Sequence, residues 1–357
     1  MSPIVNICNT NIGLGYPTYF IADVAANHDG DIERAKDLIY MCAESGANAA
    51  KFQNFQASTI VSDYGFKDMK VQTSHQSTWS KSVFDVYKDA SIPLEWSSIL
   101  KEVCDKVGIH YMTSPYDLGY INKLSQYVCA WKLGSGDITW HEMIDKMSKD
   151  DKPLIIATGA SDLEEVSMAI DVASKNSEDI ILMQCNTNYT ASIENFKYIS
   201  LNVIKKYIQE FPNLVIGLSD HTHGHTTVLG AVTLGARAIE KHFTDDCNRA
   251  GPDHKFSMDP KSWKDMVYAT RELESALGET EKKVMDNEKE SIIVQRRSLR
   301  ANESMKVGDV IKRECVEELR PCPKEGLPPY KINTILGKTL IKDINKGACI
   351  TEDDIKE

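Results

Sequence analysis

Leu214-Val215-Ile216-Gly217-Leu218-Ser219-Asp220-His221-Thr222 is a short apolar run that ends in polar residues, and Ala236-Arg237-Ala238-Ile239-Glu240-Lys241-His242-Phe243-Thr244 repeats the design. Between them lies a stretch rich in Ala, Gly and Leu, long enough for a crossover helix, and a Gly251-Pro252-Asp253-His254 turn follows. This is the pattern of two buried parallel strands in a βαβ unit. Side chains alternate along a strand, so Ser219 and His221 share one face, as do Glu240 and His242 on the next strand. Neighbouring strand axes lie about 4.8 Å apart, close enough for His221 and His242 to reach one metal ion or one substrate. Each histidine could instead cap a loop by hydrogen bonding. Two of them at matching strand ends, beside a Glu and a Ser of the same parity, point to a site.

Working outward, six further strand patterns precede this pair: Tyr19 to Ala26, Ala47 to Asn54, Ile109 to Ser114, Cys129 to Leu133, Pro153 to Thr158 and Asp179 to Cys185. Helical patterns run from Asp31 to Ser45, Glu95 to Val107, Asp162 to Ser174, Ile199 to Glu210, Thr226 to Leu234 and Pro260 to Leu277. The first sixteen or so residues read as a leader, and Phe55 to Pro93, with His75, Gln76 and Trp79, as a long polar loop that covers something. Eight strands alternating with helices over about 250 residues predict an α/β fold of the (β/α)8 TIM-barrel type, with its active site at the carboxyl ends of the strands. Those ends carry Asp23, Lys51 with Gln53, Ser114, Lys132 with Ser135, Thr158, Asn186 with Tyr189, Ser219 with His221, and Glu240 with His242. Lys51 and Lys132 fall in or just after apolar runs, where a lysine needs an anionic partner. That partner is either a barrel carboxylate such as Asp23 or Glu240, or a bound phosphate or carboxylate.

The chain has 357 residues, 42% of them hydrophobic, enough for a large domain and a smaller one. Its net charge of −11 is spread through helices, which argues against nucleic acid as a partner. Nine cysteines without a CxxC pair argue against a disulfide framework or structural zinc and for a reducing, cytoplasmic setting. No stretch reaches the roughly 20 apolar residues of a membrane span, and no signal segment is evident. The barrel domain is expected over residues 1–278, a charged linker over 279–290, and a small, turn-rich β module over 291–357. That module faintly repeats itself, with Val307-Gly308-Asp309-Val310-Ile311 matched by Lys346-Gly347-Ala348-Cys349-Ile350. It is marginal in size for a core of its own.

Nearly the whole chain resembles the sialic acid synthase family. The residues that carry the likeness are Ile21-Ala22-Asp23 through Asn27-His28, Lys51-Phe52-Gln53, Lys132 through Asp137, Ala157-Thr158-Gly159, Gly217 through Thr222, Glu240 through Thr244, and Gly251 through His254. The tail, with Leu319-Arg320-Pro321 and then Gly326, resembles the family's β-rich antifreeze-like (SAF, β-clip) domain. The resemblance implies condensation of phosphoenolpyruvate with an N-acetylated hexose. It implies a divalent cation, Mn2+ or Mg2+, on His221 and His242 that polarises the sugar aldehyde. Lys51, Lys132, Ser135 and Ser219 would hold phosphoenolpyruvate, with Gln53 and Ser114 as further substrate contacts. Glu240, and after it Asp23, would steady the developing cation and take a proton from water. Asp253, Asn186, Tyr189 and Gln76 would meet the sugar, and Arg320 would reach the active site of the partner in a domain-swapped homodimer.

The chain departs from the family at Asp23, where Glu is usual, at Ala157, and across Gln184-Cys185-Asn186-Thr187-Asn188-Tyr189-Thr190. These departures leave the hexose open. N-acetylneuraminate is the default product, and a legionaminate- or pseudaminate-type acid is the close competitor. A Schiff-base aldolase using Lys51 or Lys132, and a non-catalytic binding protein with an ice-binding or docking tail, are the other readings. His223, His225 and His254 read as loop histidines that shape the mouth, with His254 a possible support to the metal ligands.

Overall fold

Short apolar runs can bury backbone on both sides only as parallel strands under helices, and in the computed structural model eight of them close into one parallel barrel. Residues 2–69, 76, 79 and 81–356 are described, so His75 lies outside the described residues. Two strands precede the barrel, β1 (Ile4–Ile7) and β2 (Thr10–Gly13), where the sequence was read as a leader. They pair antiparallel across a Cys8-Asn9 turn in which both residues have positive φ, 44° and 68°. A two-residue turn of that kind matches the natural twist of a hairpin. Val5, Ile7 and Ile12 of this hairpin pack with Tyr19, Ile21, Ala49, Met112 and Ala238, closing the amino-terminal end of the barrel.

The barrel strands are β3 (Tyr19–Asp23), β4 (Ala49–Asn54), β5 (His110–Pro115), β6 (Trp131–Leu133), β7 (Leu154–Ala157), β8 (Ile180–Cys185), β9 (Val215–Asp220) and β10 (Ala238–His242), with β10 closing on β3. Alternate residues of each strand divide between two cores. Phe20, Ala22, Ala50, Phe52, Trp131 and Ile239 join the layer under the helices, whereas Tyr19, Ile21, Ala49 and Ala238 fill the barrel. Read upward, the inward column of β3 is Tyr19, Ile21, Asp23 and that of β10 is Ala238, Glu240, His242. The barrel is therefore apolar at its base and charged at its mouth.

Two expectations are corrected here. The stretch Phe55 to Pro93 is not structureless, since it contains helices Ala57–Ile60, Asp63–Asp68 and Val83–Ala90, the last two capped by Ser62 and Ser82. A helix His141–Ser148 also follows β6, which the sequence pattern passed over. No helix among the described residues is long and apolar enough to cross a membrane.

The chain divides into two compact units, Met1–Gly278 and Glu279–Glu357. The second includes a helix at Lys289–Gln295 and two small antiparallel pairs, β11 (Ser298–Ala301) with β12 (Val316–Leu319) and β13 (Thr339–Leu340) with β14 (Ile355–Lys356). Despite its size it has its own buried cluster, including Leu299, Met305, Ile311, Leu340, Ile344 and Ile350. The faint sequence repeat is a structural one: Gly308 and Gly347 both take positive φ, Ile311 and Ile350 are both buried, and Met305 and Ile344 exchange backbone hydrogen bonds of 2.8 and 2.9 Å.

Candidate active site

Strand register assembles the mouth. Asp23 pairs with Lys51 on one side and with His242 on the other, and Glu240 pairs with Ser219. Inward side chains at these positions meet: Lys51 Nζ lies 2.7 Å from Asp23 Oδ2 and 3.7 Å from Glu240 Oε2. Lys132 Nζ lies 3.2 Å from Glu240 Oε1, which also accepts a hydrogen bond of 3.1 Å from Ser219 Oγ. The result is two ammonium groups interleaved with two carboxylates, each residue no more than 4% exposed. Both lysines therefore have the carboxylate partners that one reading of the sequence allowed. An ammonium group has three donors, so each can hold its carboxylate and still present a proton to an anion in the cavity.

Burial pushes the Asp23 carboxyl up, and Lys51 only partly offsets it. Glu240 is held below the usual carboxylate range because Lys132 and Lys51 outweigh its burial. Lys51 is in turn held above its ordinary value, since Asp23 and Glu240 more than offset desolvation. A lysine held protonated in this way is a poor Schiff-base nucleophile, which weighs against the aldolase reading for Lys51.

The two histidines stand side by side, with ring centroids 5.4 Å apart. His221 Nδ1 donates to Asn186 O at 3.0 Å, which fixes the tautomer and leaves Nε2 as the nitrogen with a lone pair. Burial works to depress His221, but Cys185 beside it and the Asn186 carbonyl more than offset that and hold its proton affinity up. His242 is pushed well down by burial and by the neighbouring positive groups, and is therefore neutral. Its Nδ1 is buried without a hydrogen-bond partner and its Nε2 lies 3.5 Å from Asp23 Oδ2. A neutral imidazole with an orphaned nitrogen, a second imidazole and a nearby carboxylate suit a divalent cation of borderline softness. No group of three or more His, Cys, Asp or Glu side chains among the described residues is arranged to hold one, so substrate or water would have to complete the coordination.

These groups line a cleft that encloses about 850 Å³ of empty space, its open mouth included. Of the residues expected from sequence, Asp23, Lys51, Gln53, Gln76, Lys132, Ser135, Tyr189, Ser219, His221, Glu240, His242 and Asp253 line it. Ser114 and Asn186 do not. Ser114 is buried with its Oγ unpartnered, and Asn186 turns its carbonyl to His221 and its amide towards Tyr198 O at 3.4 Å. Arg320 is exposed on the second unit. His254 is not a support to the imidazoles: its Nε2 meets Asp29 Oδ1 at 2.9 Å and its Nδ1 meets Thr244 Oγ1 at 2.7 Å.

Sequence reasoning named Tyr189 and Trp79 but missed the aromatic wall to which they belong. Phe256 packs against His242 and His221 at 4.8 and 6.0 Å, and Tyr189 against His221 at 4.3 Å. Phe55, Trp79, Tyr87 and Tyr116 line the same cleft. The signal was the run of aromatics through residues 55–87, legible as a wall only once the barrel is closed. Gly159 belongs here too, because a Cβ there would collide with Thr187, and its N–H donates to Ser135 Oγ at 2.9 Å.

The profile of the NeuB family matches residues 38–282, and that of the SAF domain matches residues 296–356. The chain belongs to the NeuB family. It is 34% identical to an N,N'-diacetyllegionaminic acid synthase of Legionella pneumophila, over 96% of each chain. It is 32% identical to a pseudaminic acid synthase of Campylobacter jejuni, over 97% of this chain and 99% of the relative. Among solved structures, an N-acetylneuraminic acid synthetase of Leptospira borgpetersenii, in complex with citrate, superposes with a TM-score of 0.71 at 27% identity, covering 82% of this chain and 96% of that one. The fold is thus the barrel of this NeuB family member followed by a SAF domain, and the three relatives named here are synthases of sialic-acid-like sugars.

Proposed function

We propose that this NeuB family chain condenses phosphoenolpyruvate with an acylated aminohexose and water to give a nine-carbon 2-keto acid and phosphate. The observation that carries the reading is the alternation of Asp23, Lys51, Glu240 and Lys132 beside His221 and His242. Lys51 and Lys132, with Ser135 and Ser219, bind the phosphate and carboxylate of phosphoenolpyruvate. His221 and His242 would hold a divalent cation, Mn2+ or Mg2+, which when bound would draw electron density from the sugar aldehyde. The enol carbon bonds to the aldehyde carbon, the aldehyde oxygen takes up a proton, and positive charge develops at the carbon bearing phosphate. Glu240, the ionised carboxylate, steadies that charge. Water adds there and gives its proton to a carboxylate, with Glu240 the first candidate and Asp23 the second. The hydroxyl left on that carbon then gives up its proton as its oxygen forms the keto C=O bond, the carbon–oxygen bond to phosphate breaks with the electron pair going to the phosphate oxygen, and phosphate leaves.

On the sugar side, the relatives named above favour the legionaminate or pseudaminate type over N-acetylneuraminate. The apolar wall of Phe55, Val86, Ala90 and Pro252 would suit a sugar that ends in a methyl group. Asp253 and Tyr189 would take the acylamino and hydroxyl groups. A domain-swapped homodimer in which Arg320 serves the partner's site, and a cytoplasmic setting, complete the reading. The test is phosphate release from phosphoenolpyruvate against N-acetylmannosamine, its 6-deoxy diacetamido relatives and plain hexoses. Release must depend on an acylated aminohexose.

A further inference from the structure

We propose that the buried Asp220–Lys241 pair is a positioning device that sets His221 and His242 at the separation a shared cation needs. The inference rests on the metal reading of those two imidazoles. Asp220 and Lys241 are register partners on β9 and β10, and their side chains are 0% and 1% exposed. Each has the opposite parity to the neighbouring histidine, so neither lines the cavity. Neither touches a reacting atom.

Their bonds bracket His221. Lys241 Nζ donates to Asp220 Oδ2 at 2.5 Å and to Thr222 O at 2.6 Å, which ties the residues on both sides of His221 to the residue that precedes His242. Asp220 also accepts from Thr222 N at 3.2 Å, Thr222 Oγ1 at 2.8 Å and Thr227 Oγ1 at 2.7 Å, which anchors the start of helix Thr226–Thr233 to the same carboxylate. The strand end that carries His221 is thereby fixed in place relative to the strand end that carries His242.

A net gain in stability is a weak reason for the pair. Burying two charges costs several kcal/mol of solvation each, and exchanging such a pair for well-packed apolar residues is often neutral or stabilising. What an apolar pair cannot supply is direction, because hydrogen bonds fix angles and dispersion contacts do not. Groups that orient metal ligands from behind commonly change metal affinity by roughly 10–100-fold when removed.

The double variant Asp220→Leu/Lys241→Met removes both charges and leaves no orphaned ion. Free Mn2+ is followed by electron paramagnetic resonance during titration of the full-length chain without substrates, alongside wild type and His242→Ala. The expected result is a Mn2+ Kd at least tenfold weaker in the double variant with a melting temperature no lower than wild type. A purely structural pair would lower the melting temperature and leave the Kd alone, and that result overturns the proposal. Wild type and His242→Ala holding Mn2+ equally poorly would remove the metal reading, and this inference with it. Wild type binding, His242→Ala failing and the double variant binding as wild type would overturn the positioning role alone. Should the double variant not fold, Thr227→Val removes one of the four bonds to Asp220 and is expected to weaken Mn2+ roughly threefold. An unchanged Kd in that variant overturns the proposal too.

Discussion

His221 and His242 stand with their ring centroids 5.4 Å apart across the boundary where β9 pairs with β10. One is anchored through Nδ1 to a backbone carbonyl, and the other keeps a buried nitrogen without a partner. Substituting His242 with Ala should leave the barrel folded, because the lost ring sits at the cavity wall and not in either apolar core. Calorimetry should find Mn2+ affinity reduced by two orders of magnitude or more, and chelation should abolish turnover in wild type until Mn2+ is returned. Full turnover in excess chelator would remove the metal from the mechanism.

The lysines should separate by their partners. Lys51→Met leaves the buried Asp23 carboxyl without its 2.7 Å ion pair, a loss worth about 3–5 kcal/mol, and thermal unfolding should show a marked drop. Lys132→Met leaves Glu240 with Lys51 at 3.7 Å, so its melting temperature should fall less. Its apparent KM for phosphoenolpyruvate should rise tenfold or more. A variant with an unchanged KM would take Lys132 out of anion binding.

Asp253 gives the pH dependence. Desolvation pushes its carboxyl from 3.8 up to about 6, despite the hydrogen bond of 3.1 Å from Ala26 N. Above that value it is ionised and, in the proposed reaction, would accept from sugar hydroxyl and amide groups; below it, it is protonated. The apparent KM for the sugar should therefore rise as pH falls through about 6, and Asp253→Asn should be high and flat across the same range. Because the folded value lies above the unfolded one, this group costs stability as pH rises through that window. The acid limb is thus not unfolding caused by Asp253. A pH profile unchanged by Asp253→Asn would contradict the assignment.

The partition between what the sequence disclosed and what it hid has physical causes. Strands β3 to β10 were legible because a strand buried on both faces must be apolar at nearly every position, and the polar residues that end it then stand out. The parity that paired Ser219 with His221 and Glu240 with His242 is local, so it survived into the structure. The hairpin of β1 and β2 was missed because its turn is Cys8-Asn9 rather than a glycine pair, and its strands are only four residues each. Asp220 and Lys241 were invisible as partners because their contact depends on the register of two strands about twenty residues apart. Helix His141–Ser148 was passed over because the stretch after β6 opens with the turn Ser135–Asp137, which hides the helical period behind it.

Subunit mixing tests the expected swap. Arg320→Ala alone should raise the apparent KM of the sugar and leave the melting temperature nearly unchanged, since Arg320 is exposed in its own unit. Mixing that chain with a Lys132→Ala chain should restore activity after subunit exchange, because one mouth of the hybrid would combine both intact parts. A strictly monomeric chain, or confirmed exchange without rescue, would count against the swap.

The most direct test of the central claim is the rate of phosphate release from phosphoenolpyruvate with Mn2+ present, measured with and without each sugar of the panel. The account predicts no release without sugar, release with an acylated aminohexose at one phosphate per nine-carbon keto acid formed, and the fastest release with a 6-deoxy diacetamido hexose. Release that proceeds equally without sugar, or with plain hexoses, would contradict it.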